Sequence, residues 1–332
     1  MRRNNLVIII FTLTAVVCGQ RDAAAQQPPA KCSEVSYSAP PTALKTFQLN
    51  RVEGQAVYAS PSQRWELGSG NGVCVTLFNK KSHELVATVT TDGAGQFEFV
   101  HIAPREYVLL AFAGDLQKVI IPIQLVRSGK PNKPQRLLLH LRDKEDKRQT
   151  YVTRVTNLAL RKELLAMVER DQKIRNEMIK SGVENPGEAI LAQMKMIDSR
   201  NTARMKSVIK EYGWPRLELV GWDGTEAAFL MVQHADHSFQ KELLPLMQKE
   251  FRLGALSGPN FALFIDRVLV EDGKLQIYGS RAKPFDQWEM GEPVLYPIED
   301  EANVDKRRAE VGLSSLAEYR EFLKKMYHPQ SK

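Results

Sequence analysis

Three cysteines in 332 residues are too few for a disulfide-dense scaffold or a four-cysteine zinc site. The longest apolar run, Leu6 to Val17, falls short of the roughly 20 residues that a spanning helix needs, which excludes a multi-span membrane protein. No block of five or more basic residues occurs, and few aromatics interleave with the charges, so a formal net charge of +7 does not read as nucleic-acid binding. No Gly-x-Ser-x-Gly elbow is present. Gly68-Ser69-Gly70-Asn71-Gly72 lacks the Lys-Ser or Lys-Thr of a phosphate loop and reads as a strand connection. No internal repeat is visible. With 43% hydrophobic and 26% charged residues, the chain is neither disordered nor collagen-like, and its length suggests two domains.

The N-terminus carries an export pattern. Arg2 and Arg3 precede the apolar run, and Ala23-Ala24-Ala25 supplies an Ala-x-Ala cleavage site. Residues 1–25 are therefore expected to be a signal peptide, with an uncleaved anchor as the alternative. Lipid attachment at Cys18 is a second alternative, disfavoured by the bulk of Val17 in front of it. Loss of Arg2, Arg3, Arg21 and Asp22 would bring the charge of +7 down by 2. The expected location is the periplasm, cell surface or exterior. The membrane enters only through this segment, if it is uncleaved or lipidated. Cys32 and Cys74 then remain, and in an oxidising compartment they can pair or stay as isolated thiols.

Residues 26–45 read as a Pro-rich linker. From there short β-type runs recur: Arg51–Tyr58, Gly72–Asn79, Glu84–Thr91, Gln96–Ile102, Glu106–Ala113, Lys118–Val126 and Arg136–Leu141. Such spacing is the signature of an antiparallel β-sandwich, here over residues 46–142. Asp92-Gly93-Ala94-Gly95 supplies the positive φ of a tight hairpin, and Phe97 and Phe99 alternate with Gln96 and Glu98. Thr91 to Phe99, followed by Arg105-Glu106-Tyr107, resembles the carboxypeptidase regulatory-like domains of the transthyretin-like sandwich family. Their Thr-Asp-x-x-Gly-x-Phe-x-Phe hairpin is matched, and Arg105 stands where their later Gly-x-Tyr has glycine. The resemblance implies an Ig-like or transthyretin-like sandwich that acts as a spacer or docking module.

A charged run, Asp143 to Arg148, opens a linker at 143–153. A mainly helical α+β domain is expected over 154–330. Apolar spacing predicts helices at Val155–Lys180, Ala189–Tyr212, Glu226–Ala235, Phe239–Arg252 and Leu316–Met326. A small β-hairpin is expected between Arg267–Val270 and Leu275–Tyr278, about Asp272-Gly273.

This second half carries an unusual set of polar residues. Asp171 and Arg175 share a helix face, as do Asp198 and Asn201. Gln172, Gln233, His234, Gln240, Asp266, Arg267 and Gln276 lie beside apolar runs. In order and spacing these residues, with Gly213-Trp214-Pro215 and Arg307 to Leu313, resemble a bacterial family catalogued as a domain of unknown function, from about Leu164 to Tyr319. Members often close the later motif as Tyr-Gly-Thr-Gln, whereas this chain has Tyr278-Gly279-Ser280-Arg281. The family has no agreed activity.

An acid, an arginine, a histidine and several amides are the parts of a polar pocket. The first expectation is an exported protein whose β-sandwich is a spacer or docking module and whose helical domain binds a small molecule or cell-envelope component. Gln172, Asp198, Asn201, Gln233, Gln240, Asp266, Arg267 and Gln276 would line that pocket. The alternative is a hydrolase-type enzyme acting at His234, Asp171 and Arg175, with His234 as general base, Asp171 or Asp198 orienting it, and Arg175 or Arg267 binding an anionic group. A structural envelope protein, with the same residues forming an internal network, is a third reading. His234 and His237 are three apart, but no third ligand accompanies them, so no metal or cofactor is expected. His83, His101, His140 and His328 are expected at the surface.

Overall fold

The computed structural model describes residue 32 and residues 46–59, 68–114, 116–126, 135–181 and 187–327. The segment expected to direct export, most of the expected linker, Cys18 and His328 lie outside the described residues. Among those described, the chain divides into two compact units. One comprises 32–166 with 215–228, and the other 167–214 with 229–327.

The first unit is built on two five-stranded sheets. Strands β1 (Phe47–Leu49), β4 (Cys74–Asn79), β5 (Leu85–Thr90), β7 (Glu106–Phe112) and β8 (Val119–Leu125) form one sheet in the order β1-β8-β7-β4-β5. Strands β2 (Val52–Ala59), β3 (Gly68–Ser69), β6 (Gln96–Phe99), β9 (Arg136–Arg142) and β10 (Tyr151–Val155) form the other, in the order β10-β9-β2-β3 with β6 also paired to β2. Two pairings, β1 with β8 and β2 with β9, run parallel, so the sheets are mixed where a purely antiparallel arrangement was expected. Alternating side chains from both sheets, among them Val52, Ala56, Leu77, Phe97, Leu109, Ile121, Leu137 and Leu139, close one apolar core.

The hairpin ahead of β6 has the local chemistry its sequence predicts. Asp92 Oδ1 accepts from the amides of Ala94 at 2.9 Å and Gln96 at 2.8 Å. Gly95 turns with φ +73°, and a Cβ there would collide with the Ala56 carbonyl oxygen. Tyr107 is buried and donates from its hydroxyl to the Ala103 carbonyl at 2.7 Å. Cys32 and Cys74 form a disulfide with Cα atoms 5.7 Å apart, in the range such bonds require. His140, expected at the surface, is fully buried on β9, stacked at 3.9 Å on Tyr151 of β10. The pairing that buries it comes from β10, which begins just past the charged run and hides its short alternation behind it.

Among the described residues seven α-helices follow: α1 (Leu158–Ser181), α2 (Glu188–Tyr212), α3 (Leu217–Gln233, broken by a kink at Gly221), α4 (His237–Arg252), α5 (Gly258–Glu271), α6 (Val304–Glu310) and α7 (Leu316–Tyr327). Residues 267–270, expected as a strand, form the last turn of α5. Ser257 caps that helix by accepting from Asn260 N at 3.3 Å, and Pro259 sits in its first turn. The extended segment after α5 pairs instead with a later one, through bridges Gln276–Ile298 and Ala282–Leu295. Gly213 ends α2 with φ +73°, and Trp214 beside it is buried. Among the described residues no helix is long and apolar enough to cross a membrane.

Candidate functional site

The site belongs to the second unit. Its centre is Asp171, on α1, whose carboxylate is entirely buried. Three side chains converge on it. Arg175, one turn along α1, donates Nε to Oδ1 at 3.1 Å and to Oδ2 at 3.2 Å. Gln172 Nε2 donates to Oδ2 at 2.8 Å. His234 Nδ1 lies 3.0 Å from Oδ1, across 63 residues of sequence. The Arg175 guanidinium continues to α2, where Nη2 meets Asp198 Oδ1 at 2.5 Å. One arginine thus ties two carboxylates on two helices and holds the acceptor that orients the imidazole.

His234 sits where α3 stops. Asp236 starts α4 by accepting from Phe239 N at 2.8 Å, and this turn places the imidazole beyond the last residue of α3. Gln240 Nε2 donates to the carbonyls of Val232 and Gln233, both at 3.0 Å, and so satisfies two carbonyls left open at the end of α3.

Burial governs the protonation of the group. It pushes the His234 imidazole below its ordinary value, by more than the Asp171 hydrogen bond returns. Burial alone would raise Asp171, but the hydrogen bonds and charges of its partners outweigh it and hold the carboxyl below the usual carboxylate range. The hydrogen bond from His234 leads among them, and with the imidazole neutral Arg175 is the cation that joins it. Asp198 moves the other way, raised by burial beyond what Arg175 offsets.

The remaining expected site residues separate into two groups. Asp266 and Gln276 have their hydrogen bonds inside the protein. Asp266 accepts from the amides of Ile277 at 2.7 Å, Tyr278 at 3.1 Å and Ser280 at 2.9 Å, and from the Ser280 hydroxyl at 2.9 Å. Gln276 accepts from Arg281 N at 2.9 Å and donates to the Arg281 carbonyl at 3.1 Å and the Tyr296 carbonyl at 2.7 Å. They shape the chain between α5 and residue 281. The second group keeps buried polar atoms without a protein partner: His234 Nε2, Asn201 Nδ2, Gln233 Nε2 and Arg267 Nε. Sequence reasoning missed a fifth member, the buried Arg281, whose Nε is also unpartnered. Its signal was the arginine that replaces glutamine in the Tyr-Gly-Thr-Gln pattern. It also gave no role to Arg308, which is buried and donates to the carbonyls of Ser314 at 2.6 Å and Tyr278 at 2.7 Å.

Asp171, Asp198 and His234 each bring one ligand atom within 4.8 Å of the others, a spacing that a cation can bridge. Arg175 already binds both carboxylates, so a divalent ion would have to displace a guanidinium. The His234–His237 pairing considered from sequence does not form, because His237 Nε2 is bonded to Asp272 Oδ1 at 2.8 Å. Chemically, the arrangement offers a neutral imidazole fixed through Nδ1, with Nε2 available and buried amide donors in the same unit.

These features define a helical domain organised about a buried Asp–Arg–His cluster. Residues 158–332 match the model of a family of unknown function (DUF6624), and the chain belongs to that family. No curated protein matches the chain.

Proposed function

We propose that this is an exported protein whose helical domain binds a small polar molecule, or a polar component of the cell envelope, beside His234. The observation that carries the reading is a set of buried polar atoms without a partner, the amide donors of Asn201 and Gln233 and the Nε2 acceptor of His234. A network kept only for stability satisfies its members, because an unmade buried hydrogen bond costs about 1–3 kcal/mol. Here Asp171, Gln172 and Arg175 are the braced framework, and the unpartnered atoms are what a ligand would meet. Export is supported by the basic and apolar start of the chain and by the Cys32–Cys74 disulfide, which is at home in an oxidising compartment. The β unit serves as spacer or docking module. Its Thr91–Phe99 hairpin and buried Tyr107 support a carboxypeptidase regulatory-like sandwich.

One observation favours an enzyme as the second reading. With Nδ1 bonded to Asp171 and the imidazole neutral, the Nε2 lone pair is that of a general base, as in hydrolases.

The test is urea unfolding of the full chain with Asn201→Leu and Gln233→Met. Each substitution replaces an unpartnered amide by an apolar side chain of similar size. The unfolding midpoint should stay unchanged or rise, as for residues kept for a ligand. A loss of about 2–5 kcal/mol from either substitution would return these residues to a structural network and overturn the reading.

A further inference from the structure

Arg267 and Arg281 stand apart from the other arginines of their unit. Arg175 has two carboxylates, and Arg307 and Arg308 have backbone carbonyls. Among the described residues, neither Arg267 nor Arg281 makes an ion pair, and the Nε of each is buried without an acceptor. Arg281 is only 2% exposed. A buried guanidinium nitrogen with no acceptor is costly, and among the described residues of this unit each of these two arginines holds one.

Side-chain hydrogen bonds tie their two segments together. Asp266, next to Arg267 on α5, binds the amide and hydroxyl of Ser280, next to Arg281. Gln276 grips both the amide and the carbonyl of Arg281. Burial, and after it the charge of Arg281, brings Arg267 down to about 9. Arg175 and Asp198 also act on Arg267, so this arginine lies within electrostatic reach of the His234 cluster. Glu271 is felt by both arginines but pairs with neither.

We propose that the ligand of this site carries a phosphate monoester group, which seats between Arg267 and Arg281. Planar, always-charged forks present two donors each to phosphate oxygens, and a phosphate supplies three strong acceptors. Its second ionisation lies near pH 6, so at neutral pH it brings close to two negative charges for two unpaired positive ones. A carboxylate brings one. The inference rests on the binding reading above, which it narrows to a phosphorylated molecule.

The experiment is calorimetric titration of the full chain with inorganic phosphate at pH 7.5 in a low-chloride buffer, with acetate as the second arm. Phosphate should bind with one-to-one stoichiometry and acetate at least tenfold more weakly. Arg281→Gln and Arg267→Gln should each weaken phosphate at least tenfold, while Arg320→Gln, at a half-exposed arginine on α7 that faces Glu301, should leave it unchanged. Arg281→Gln should also leave the urea midpoint of the ligand-free protein unchanged or raised, because it removes a buried charge that has no partner. Should that variant fail to fold, Arg281→Lys keeps the charge, loses the fork and should still weaken phosphate. Three results would overturn the proposal: no phosphate binding by the unaltered chain, acetate binding as tightly as phosphate, or phosphate binding indifferent to both arginine variants. If phosphate fails while Gln233→Met leaves stability intact, the anionic class falls and the pocket stands. If phosphate binds through Arg281 while Gln233→Met destabilises, the reverse holds.

Discussion

Asp171 is the residue on which the cluster turns, and its removal has a calculable cost. The carboxylate is fully buried and bonds to Gln172, Arg175 and His234. Asp171→Ala leaves Arg175 with Asp198 alone and deprives the Gln172 amide and His234 Nδ1 of their acceptor. Breaking a buried, hydrogen-bonded pair from one side costs about 3–5 kcal/mol. At a urea dependence of about 2–3 kcal/mol per molar, the unfolding midpoint of the helical signal should fall by about 1–2 M. Asp171→Asn should cost less, because its oxygen can still accept from Arg175, though its amide then faces other donors. The assay is urea unfolding of the full chain followed by far-ultraviolet circular dichroism, with Gln233→Met as the contrasting variant. If Asp171→Ala left the midpoint unchanged, the cluster would not brace α1, α2 and the end of α3, and the separation of framework from ligand-facing atoms would collapse.

Three further outcomes follow from the same structure. Asp266→Ala should destabilise by a comparable amount and speed amide exchange at Ile277 and Ser280, whose N–H groups it accepts; unchanged exchange would refute its role in shaping that segment. The disulfide closes a separation of 42 residues, so reduction should cost the β unit about 4 kcal/mol, read as a lower unfolding midpoint in reductant, and an unmoved midpoint would count against it. Stability should fall as pH drops below about 6.5, because an unfolded histidine takes up a proton there and buried His234 does not. Asp171, held low, adds a further loss at more acidic pH, whereas raised Asp198 works in the opposite direction above about pH 4. The His234 share is therefore the difference between the unaltered chain and His234→Asn, and equal slopes in the two would refute it.

Much of this architecture is legible in the sequence, and the failures have physical causes. Asp92 with Gly95 announces the hairpin because few residues tolerate that backbone, and the spacing of Asp171 with Arg175 announces a shared helix face. The end of α5 was misread because Val268 and Val270 favour strands and Asp272-Gly273 imitates a hairpin turn. The Ser257 cap and Pro259 lie a dozen residues upstream, and helical packing won over local preference. Strands β1 and β10 are short, and their places are set by partners more than 70 residues away for β1 and in the neighbouring strand for β10. The site shows the same division. Helical spacing named its members, but the closure of His234 on Asp171 is a long-range contact. Which polar atoms go without partners is decided only once the chain has folded, so Gln240 and Asp266 looked like Gln233 and Arg267.

At the centre of the cluster stands a His234 imidazole that is neutral, protonated on Nδ1 toward Asp171, and unpartnered at Nε2. Nitrogen-15 spectroscopy of the imidazole in the full chain, with His234→Asn to assign the signal, reads this directly. At pH 7 the spectrum should show one protonated nitrogen and one bare nitrogen, with the proton on Nδ1. An imidazolium protonated on both nitrogens, or a neutral ring protonated on Nε2, would contradict it.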